Sequence, residues 1–180
     1  MGTPFRIAAA TGADGNAVHS LVLALARHVG SESQVRLTAE QLRADMDAGR
    51  CWCLAARADP VGAVGAGGEE ASIVGFALGY ETYSTWEGRG LYLEDLYVIP
   101  DARGAGLGKQ LRRAVADKAL REGCARLQWQ AHGDNAGSIK WYASETVGAR
   151  ERVEPSGARW VNLIMRTAEM ESLVGLRSRD

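Results

Sequence analysis

The chain has 180 residues, 46% of them hydrophobic and 24% charged, with a formal net charge of −1. That length suits one globular core that needs no covalent staples, and the near-neutral balance leaves no electrostatic footprint for nucleic acid. No run approaches the roughly 20 apolar residues of a membrane helix, and residues 1–6 lack the basic and apolar regions of a secretory leader, so the expectation is a cytoplasmic protein. Cys51, Cys53 and Cys124 are odd in number and point to free thiols in a reducing compartment. His19, His28 and His132 show no metal-ligand spacing, and no metal is expected.

Residues 5–9 read as a first strand. Asp14 stands where a cap would precede a helix whose apolar positions, Val18, Leu21, Val22, Leu25 and Val29, recur at helical spacing, with Gly30 ending it. Residues 38–40 open a second helix with Leu42 and Met46 on one face, and Thr38 with Gln41 makes a capping box. Residues 51–57 read as a strand and 59–70, rich in Gly and acids, as a hairpin loop. A strand over 72–81, a turn over 83–90 and a strand over 91–99, stopped by Pro100, come next. Leu107, Leu111, Ala114, Val115, Lys118 and Ala119 predict a helix over 104–122, closed by Gly123. A strand over 127–131, a short helix over 135–145 and a hairpin of 150–153 with 159–166 follow, and 167–180 reads as a tail. Antiparallel neighbours come first and helices separate the later strands. The fold class is therefore α/β (α+β), a mixed sheet flanked by helices.

The most informative stretch is 91–111, LYLEDLYVIPDARGAGLGKQL, where an apolar strand meets a glycine-rich turn and then a helix. Glycines let backbone N–H groups converge, and the helix N-terminus adds unpaired donors and partial positive charge, so a diphosphate fits there. The phosphate loop of nucleotide triphosphatases is not met, because Gly108-Lys109 is followed by Gln110. The dinucleotide fingerprint is one residue short between Gly106 and Gly108, and Glu122 lies at the end of the same helix rather than of a second strand. The pattern that does fit is Arg103-x-x-Gly106-x-Gly108.

On this motif the chain resembles the GNAT N-acetyltransferase superfamily, whose loop of this form holds the diphosphate of acetyl-CoA. Ile73-Val74-Gly75-Phe76-Ala77 is similar to the preceding strand of that family, and Asn135 followed by Ser138, Ile139 and Tyr142 to its late helix. Within it the closest likeness is to the diamine acetyltransferases of the spermidine/spermine and thialysine type, carried by residues 73–111, with Tyr83-x-x-Trp86 and Leu91-Tyr92-Leu93-Glu94-Asp95, and by Gln34-Val35-x-Leu37-Thr38. The resemblance implies one domain over 4–166, with a splayed central sheet, and a tail over 167–180.

The resemblance also implies roles. Leu96, Tyr97 and Val98 would line the pantetheine; Arg103, Gly104, Ala105, Gly106, Leu107, Gly108 and Lys109 would hold the diphosphate; Asn135, Ala136, Gly137 and Ser138 would complete the acetyl-CoA site. Glu94 would take the acceptor's proton through water, a need set by the amine's pKa of about 10, and Tyr142 would be the general acid. Adjacent residues of a regular strand face opposite ways, so Glu94 and Asp95 can share a site only across a bulge, which the resemblance implies. Asp95 would attract a cationic amine, Gln128, Trp129 and Gln130 would face it, and Trp86 would wall the pocket. The N–H of Leu96 or Val98 could polarise the thioester carbonyl. Cys124 has no nearby His, which argues against a thiol nucleophile.

The expected activity is direct acetyl transfer from acetyl-CoA to a small primary amine, such as a polyamine, diamine or lysine-like molecule, by a homodimer that engages neither nucleic acid nor membrane. Two departures bear on the acceptor: only Glu32 is acidic in 27–32, where the diamine enzymes carry an aromatic-acid pair, and Gly148 follows Tyr142 about two residues late. The alternatives are acetylation of a protein lysine, a protein N-terminus or an antibiotic amine, and a CoA-binding module without catalysis.

Overall fold

A computed structural model describes residues 5–58, 71–131, 133–144, 147–150, 156–157 and 162–174. The chain divides into two compact units, Met1–Gln130 and Ala131–Asp180. The first holds β1 (Phe5–Ala9), α1 (Gly15–His28), α2 (Ala39–Asp47), β2 (Trp52–Ala58), β3 (Ser72–Ser84), β4 (Gly88–Val98), α3 (Leu107–Arg121) and β5 (Arg126–Trp129). Its five strands form one sheet in the order β1-β2-β3-β4-β5. The first three pairings are antiparallel, and β5 joins β4 in parallel, as the crossover through α3 requires.

The sheet is covered on both faces. On one, Leu107, Leu111 and Val115 of α3 pack against Ala56, Val74, Ala77, Leu93 and Val98. On the other, Val18 and Leu21 of α1 and Leu42 and Met46 of α2 pack against Cys53, Phe76 and Tyr97. Each fully buried Leu or Phe in these layers contributes about 1.5–3 kcal/mol through removal of apolar surface from water. Gly75 leaves room for β4: a Cβ there would meet the Tyr97 carbonyl oxygen at 2.9 Å and Val98 Cγ2 at 3.2 Å, with Leu111 Cδ1 of α3 at 3.4 Å. The three cysteines are free thiols, and burial, then the neighbouring Cys51, pushes Cys53 up to about 12, which leaves it inert.

Most expected elements are present, with informative shifts. The capping box of α2 is made, Gln41 N donating to Thr38 Oγ1 at 3.2 Å and Thr38 N to Gln41 Oε1 at 2.9 Å. Asp14 precedes α1 but makes no side-chain cap; its carboxylate instead accepts from Thr11 N and from Arg57 on β2. The turn expected over 83–90 contracts to 85–87, because Tyr83 pairs with Arg89 and Ser84 with Gly88. Helix α3 starts at Leu107 rather than 104, because Gly104 and Gly106 take φ of 81° and 75°. The strand expected over 127–131 is Arg126–Trp129.

The second unit holds α4 (Ala136–Tyr142) and α5 (Thr167–Leu173). The expected tail thus carries a helix, opened by Arg166 N donating to Glu169 Oε2 at 2.9 Å. Of the hairpin expected from 150–153 with 159–166, residues 151–155 and 158–161 lie outside the described residues, as does the 59–70 loop, and 162–166 are irregular. Among the described residues no helix is long and apolar enough to cross a membrane.

Two register shifts break the sheet, one between Ala56 and Arg57 of β2, the other where β3 passes from Leu78 to Gly79. At the second, Leu78 pairs with Asp95 and Gly79 with Leu93, leaving Glu94 as an extra residue in β4. Gly79 allows that bulge, since a Cβ there would run into the Tyr92 carbonyl oxygen and the Trp52 indole. Gly79→Ala should therefore cost about 1–3 kcal/mol of overpacking. The unfolding midpoint should fall by about 3–10 °C. Gly137→Ala, with nothing within 4 Å of its added methyl, should leave the midpoint unchanged or slightly raised.

Candidate active site

The bulge sets the geometry of the site. In a regular strand one residue separates two that share a face. Leu93 belongs to the α3-side core and Leu96 packs against it, yet two residues, Glu94 and Asp95, lie between them. Beyond the bulge Tyr97 packs on the α1–α2 side, so Asp95, two residues before it, points there too. Before the bulge that side belongs to Tyr92 and Glu94. Both carboxylates thus fall on one side of β4, as the resemblance implied. Glu94 is exposed and Asp95 half-buried. Burial, then the adjacent Glu94 charge, pushes Asp95 up to about 6, the behaviour of a carboxylate short of water and beside a like charge.

The backbone of β4 opens at the same place. Strand β5 pairs only with Gly90, Tyr92 and their neighbours up to Leu93; among the described residues β4 has no partner on that side beyond it. Ile99 N donates to Val74 O at 3.0 Å, continuing the β3–β4 ladder past the Gly75–Val98 pair. Bonded and non-bonded pairs alternate in an antiparallel ladder, so Leu96 and Val98 aim their N–H and C=O groups away from β3, into the gap between β4 and β5.

At the end of β4 the chain passes through a 3-10 turn, Pro100–Ala102, into Arg103. Arg103 folds back: its Nε donates to Val98 O at 2.9 Å, and its guanidinium carbon lies 5.4 Å from the centre of the Tyr97 ring. The loop to α3 is therefore tied to the strand whose amides face the gap. Gly104, Ala105, Gly106 and Lys109 are exposed and Leu107 buried. Gly106, at φ 75°, caps α3 without any side chain, and the first turn of the helix carries no acid. Its leading N–H groups are thus uncapped by side chains and open to an anion, with Lys109 beside them. Gly108 brings α3 to within ordinary contact of Leu96, 3.8 Å from an added Cβ to Leu96 Cδ2. These residues fit a diphosphate at the helix end and an acyl chain along β4.

The other sequence-assigned residues divide. Gln128 pairs in register with Tyr92, and Trp129 with Leu93. Gln128 therefore shares the face of Glu94 and Asp95, whereas Trp129 packs against the α3-side core; Gln130 is exposed just past the strand. Trp86 is at the β3–β4 hairpin tip, 76% exposed. Six residues of β4 separate Gly88, at the base of that tip, from Glu94, about 20 Å of strand, so this unit does not bring Trp86 to the carboxylates. In the second unit, Ala136, Gly137 and Ser138 form the first turn of α4, with Asn135 accepting at its head from Ile139 N. Half-buried Tyr142 ends the helix, its carbonyl accepting from Ala149 N. Two residues absent from the sequence assignments, Tyr80 and Tyr92, also lie on the carboxylate face. The signal was available: Tyr92 stands two before Glu94, and a hairpin turning at Trp86 sets Tyr80 opposite Tyr92.

A profile of the Acetyltransferase (GNAT) family matches residues 26–146. The chain is 34% identical to thialysine N-epsilon-acetyltransferase of Sus scrofa, over 86% of this chain and 88% of that one. It is 32% identical to the Mus musculus protein of the same name, over 94% and 97%. An aminoglycoside N-acetyltransferase solved in complex with CoA superposes with a TM-score of 0.65 at 19% identity, covering 92% of this chain and 97% of that one, a likeness of fold. The chain belongs to the GNAT acetyltransferase family and is an N-acetyltransferase that uses acetyl-CoA.

Proposed function

We propose that this enzyme acetylates the primary amine of a small cationic molecule, of the diamine, polyamine or lysine-like kind, directly and without a covalent enzyme intermediate. The observation that carries the reading is the pair Glu94 and Asp95, set by one bulge on the same side of β4 where that strand parts from β5. Two carboxylates beside an opening between strands suit a cation better than a neutral or anionic acceptor. The relatives named for thialysine point the same way.

Acetyl-CoA supplies the activated acyl carbon and a thiolate leaving group. Arg103, Gly104, Ala105, Gly106, Leu107, Gly108 and Lys109 would hold its diphosphate, largely through main-chain N–H groups, and Leu96, Tyr97 and Val98 would border its pantetheine. The resemblance assigns Asn135, Ala136, Gly137 and Ser138 to the cofactor as well. Asp95 draws in the ammonium. Glu94 would take one proton from it through water, which frees the nitrogen lone pair for acyl transfer, and the second proton shed as the nitrogen becomes an amide would leave through the same water. The N–H of Leu96 or of Val98 would donate to the carbonyl oxygen as charge builds there. The Tyr142 hydroxyl would supply the proton that a departing thiolate needs, and solvent would restore it.

We further assign residues 4–166 to one acetyltransferase domain and the protein to the cytoplasm, where three free thiols suit a reducing milieu. We also assign a homodimer, in which the hairpin tip, with Tyr83 75% and Trp86 76% exposed, meets a partner; a monomeric mass by light scattering would remove that assignment.

Steady-state release of CoA from acetyl-CoA with a panel of diamines, polyamines and lysine analogues tests the activity. Release is expected with at least one of them; release only with a protein or an aminoglycoside would overturn the small-amine reading. Glu94→Gln and Tyr142→Phe should each lower turnover at pH 7 by roughly a hundredfold, with the calorimetric affinity for CoA unchanged.

Asp95 yields a second test. Its folded value of about 6 stands above the usual 3.8, so the folded chain binds that proton more tightly than the unfolded chain. The stabilising effect of the proton is present at low pH and lost as pH rises through 6. Asp95→Asn should therefore raise the unfolding free energy at pH 8 by about 1–3 kcal/mol. The difference should close by pH 4. The variant should also lower kcat/KM for a cationic amine at pH 8, and the wild-type value should fall as pH drops below 6.

A further inference from the structure

The sheet face that carries the two carboxylates has a second feature, with no part in the roles above. Tyr80 of β3 and Tyr92 of β4 are direct cross-strand partners. Their rings stack with centroids 5.1 Å apart and planes 21° from parallel. Gln128 of β5 continues the row, in register with Tyr92. Helices α1 and α2 cover this face over Phe76 and Tyr97, further along the strands, while Tyr80 is 39% exposed and Tyr92 half-buried. At about 3.3 Å per residue, Tyr92 lies roughly 7 Å along β4 from Glu94. Both hydroxyls are held above their usual range, first by burial and then by the Glu94 charge.

A stacked, partly exposed aromatic pair beside two acids has the chemistry of a cation-binding ledge. Ring faces attract an ammonium and shelter an alkyl chain from water, and the carboxylates fix the sign of the charge. A spacing of roughly 7 Å matches a chain of about five carbons between two amines, so that one end can react at Glu94 while the other rests on the rings. We propose that Tyr80 and Tyr92 form the subsite for the alkyl stem and the second, non-reacting ammonium of a diamine-type acceptor. This rests on the small-amine reading above and names what in the site selects a second positive charge.

The test compares 1,5-diaminopentane with 1-aminopentane, which share chain length and reacting amine and differ only in the second ammonium. The wild type should favour the diamine in kcat/KM. Tyr80→Leu and Tyr92→Leu should each cut that preference by roughly two- to thirtyfold, mainly through the diamine KM, with the KM for acetyl-CoA unchanged. Tyr80→Phe should keep the preference, because the ring face is what matters. Tyr80→Lys, a change on the exposed ring that the fold tolerates most readily, should abolish the preference, with kcat/KM falling further for the diamine than for 1-aminopentane. A preference unmoved by the leucine and lysine changes, or rates that fall equally for both amines, would overturn the subsite while leaving the small-amine reading intact. A wild type that acetylates neither amine would overturn the subsite, and one that also fails with polyamines and lysine analogues would overturn the small-amine reading as well.

Discussion

One extra residue in β4 organises this molecule. Without Glu94 as a bulge, the apolar alternation of β4 would run through Leu93 and Asp95, placing an acid under α3. With it, Leu96 and Val98 replace Asp95 in the α3-side layer, and the acid turns to the opposite side. The same residue increases the local twist where β5 ceases to pair, so the groups that would have bonded a neighbouring strand are left facing a gap. Packing and chemistry are consequences of a single change of register. The glycine opposite the bulge is fixed by it, because the Tyr92 carbonyl and the Trp52 ring occupy the place of a side chain at position 79.

In the proposed reading, this one strand holds both ends of the cofactor site. Its amides at Leu96 and Val98 face the gap, and its last carbonyl, at Val98, anchors Arg103. Gly75, on the neighbouring strand, leaves room for the Tyr97 carbonyl, and the first turn of α3 lies next to Leu96 at Gly108. The distance between the diphosphate end and the acyl end is therefore set by about ten residues of continuous chain rather than by contacts between distant segments. Positions so fixed lose little freedom when a ligand binds, which is what preorganisation requires.

Much of this was legible in the sequence. The i, i+4 spacing of Leu107, Leu111 and Val115 declared α3 and its buried face; Thr38 with Gln41 declared the start of α2; the Arg103-x-x-Gly106-x-Gly108 spacing declared the loop. The boundaries were less so. Polar residues such as Ser84 and Arg89 read as turn, but backbone pairing carried the strands through them, and positive φ at Gly106 delayed a helix whose apolar pattern began no earlier than Leu107. The cap at Asp14 failed because its carboxylate serves Thr11 N, three residues back, and an arginine on β2 that local sequence does not contain. Register across strands was the least visible. That Gln128 and Trp129 face opposite ways follows from alternation alone, but that Gln128, Tyr92 and Tyr80 form one row depends on how three strands align. The side on which the bulge leaves Asp95 is decided by what packs against its neighbours.

Two adjacent acids on a regular strand would point apart and scarcely feel each other. Forcing them onto one side, with Asp95 half-withdrawn from water, raises the cost of ionising it, and the pair repels itself as long as no cation is near. An ammonium arriving beside Asp95 reverses the sign of its surroundings and favours the ionised form. The repulsion that weakens the free protein therefore becomes attraction in the complex, and the gain belongs only to ligands that carry positive charge. A neutral amine finds the same gap and the same amides but relieves nothing. With a cationic acceptor, as proposed, discrimination needs no clash or gate, because it is already stored in the charge distribution of the unliganded strand.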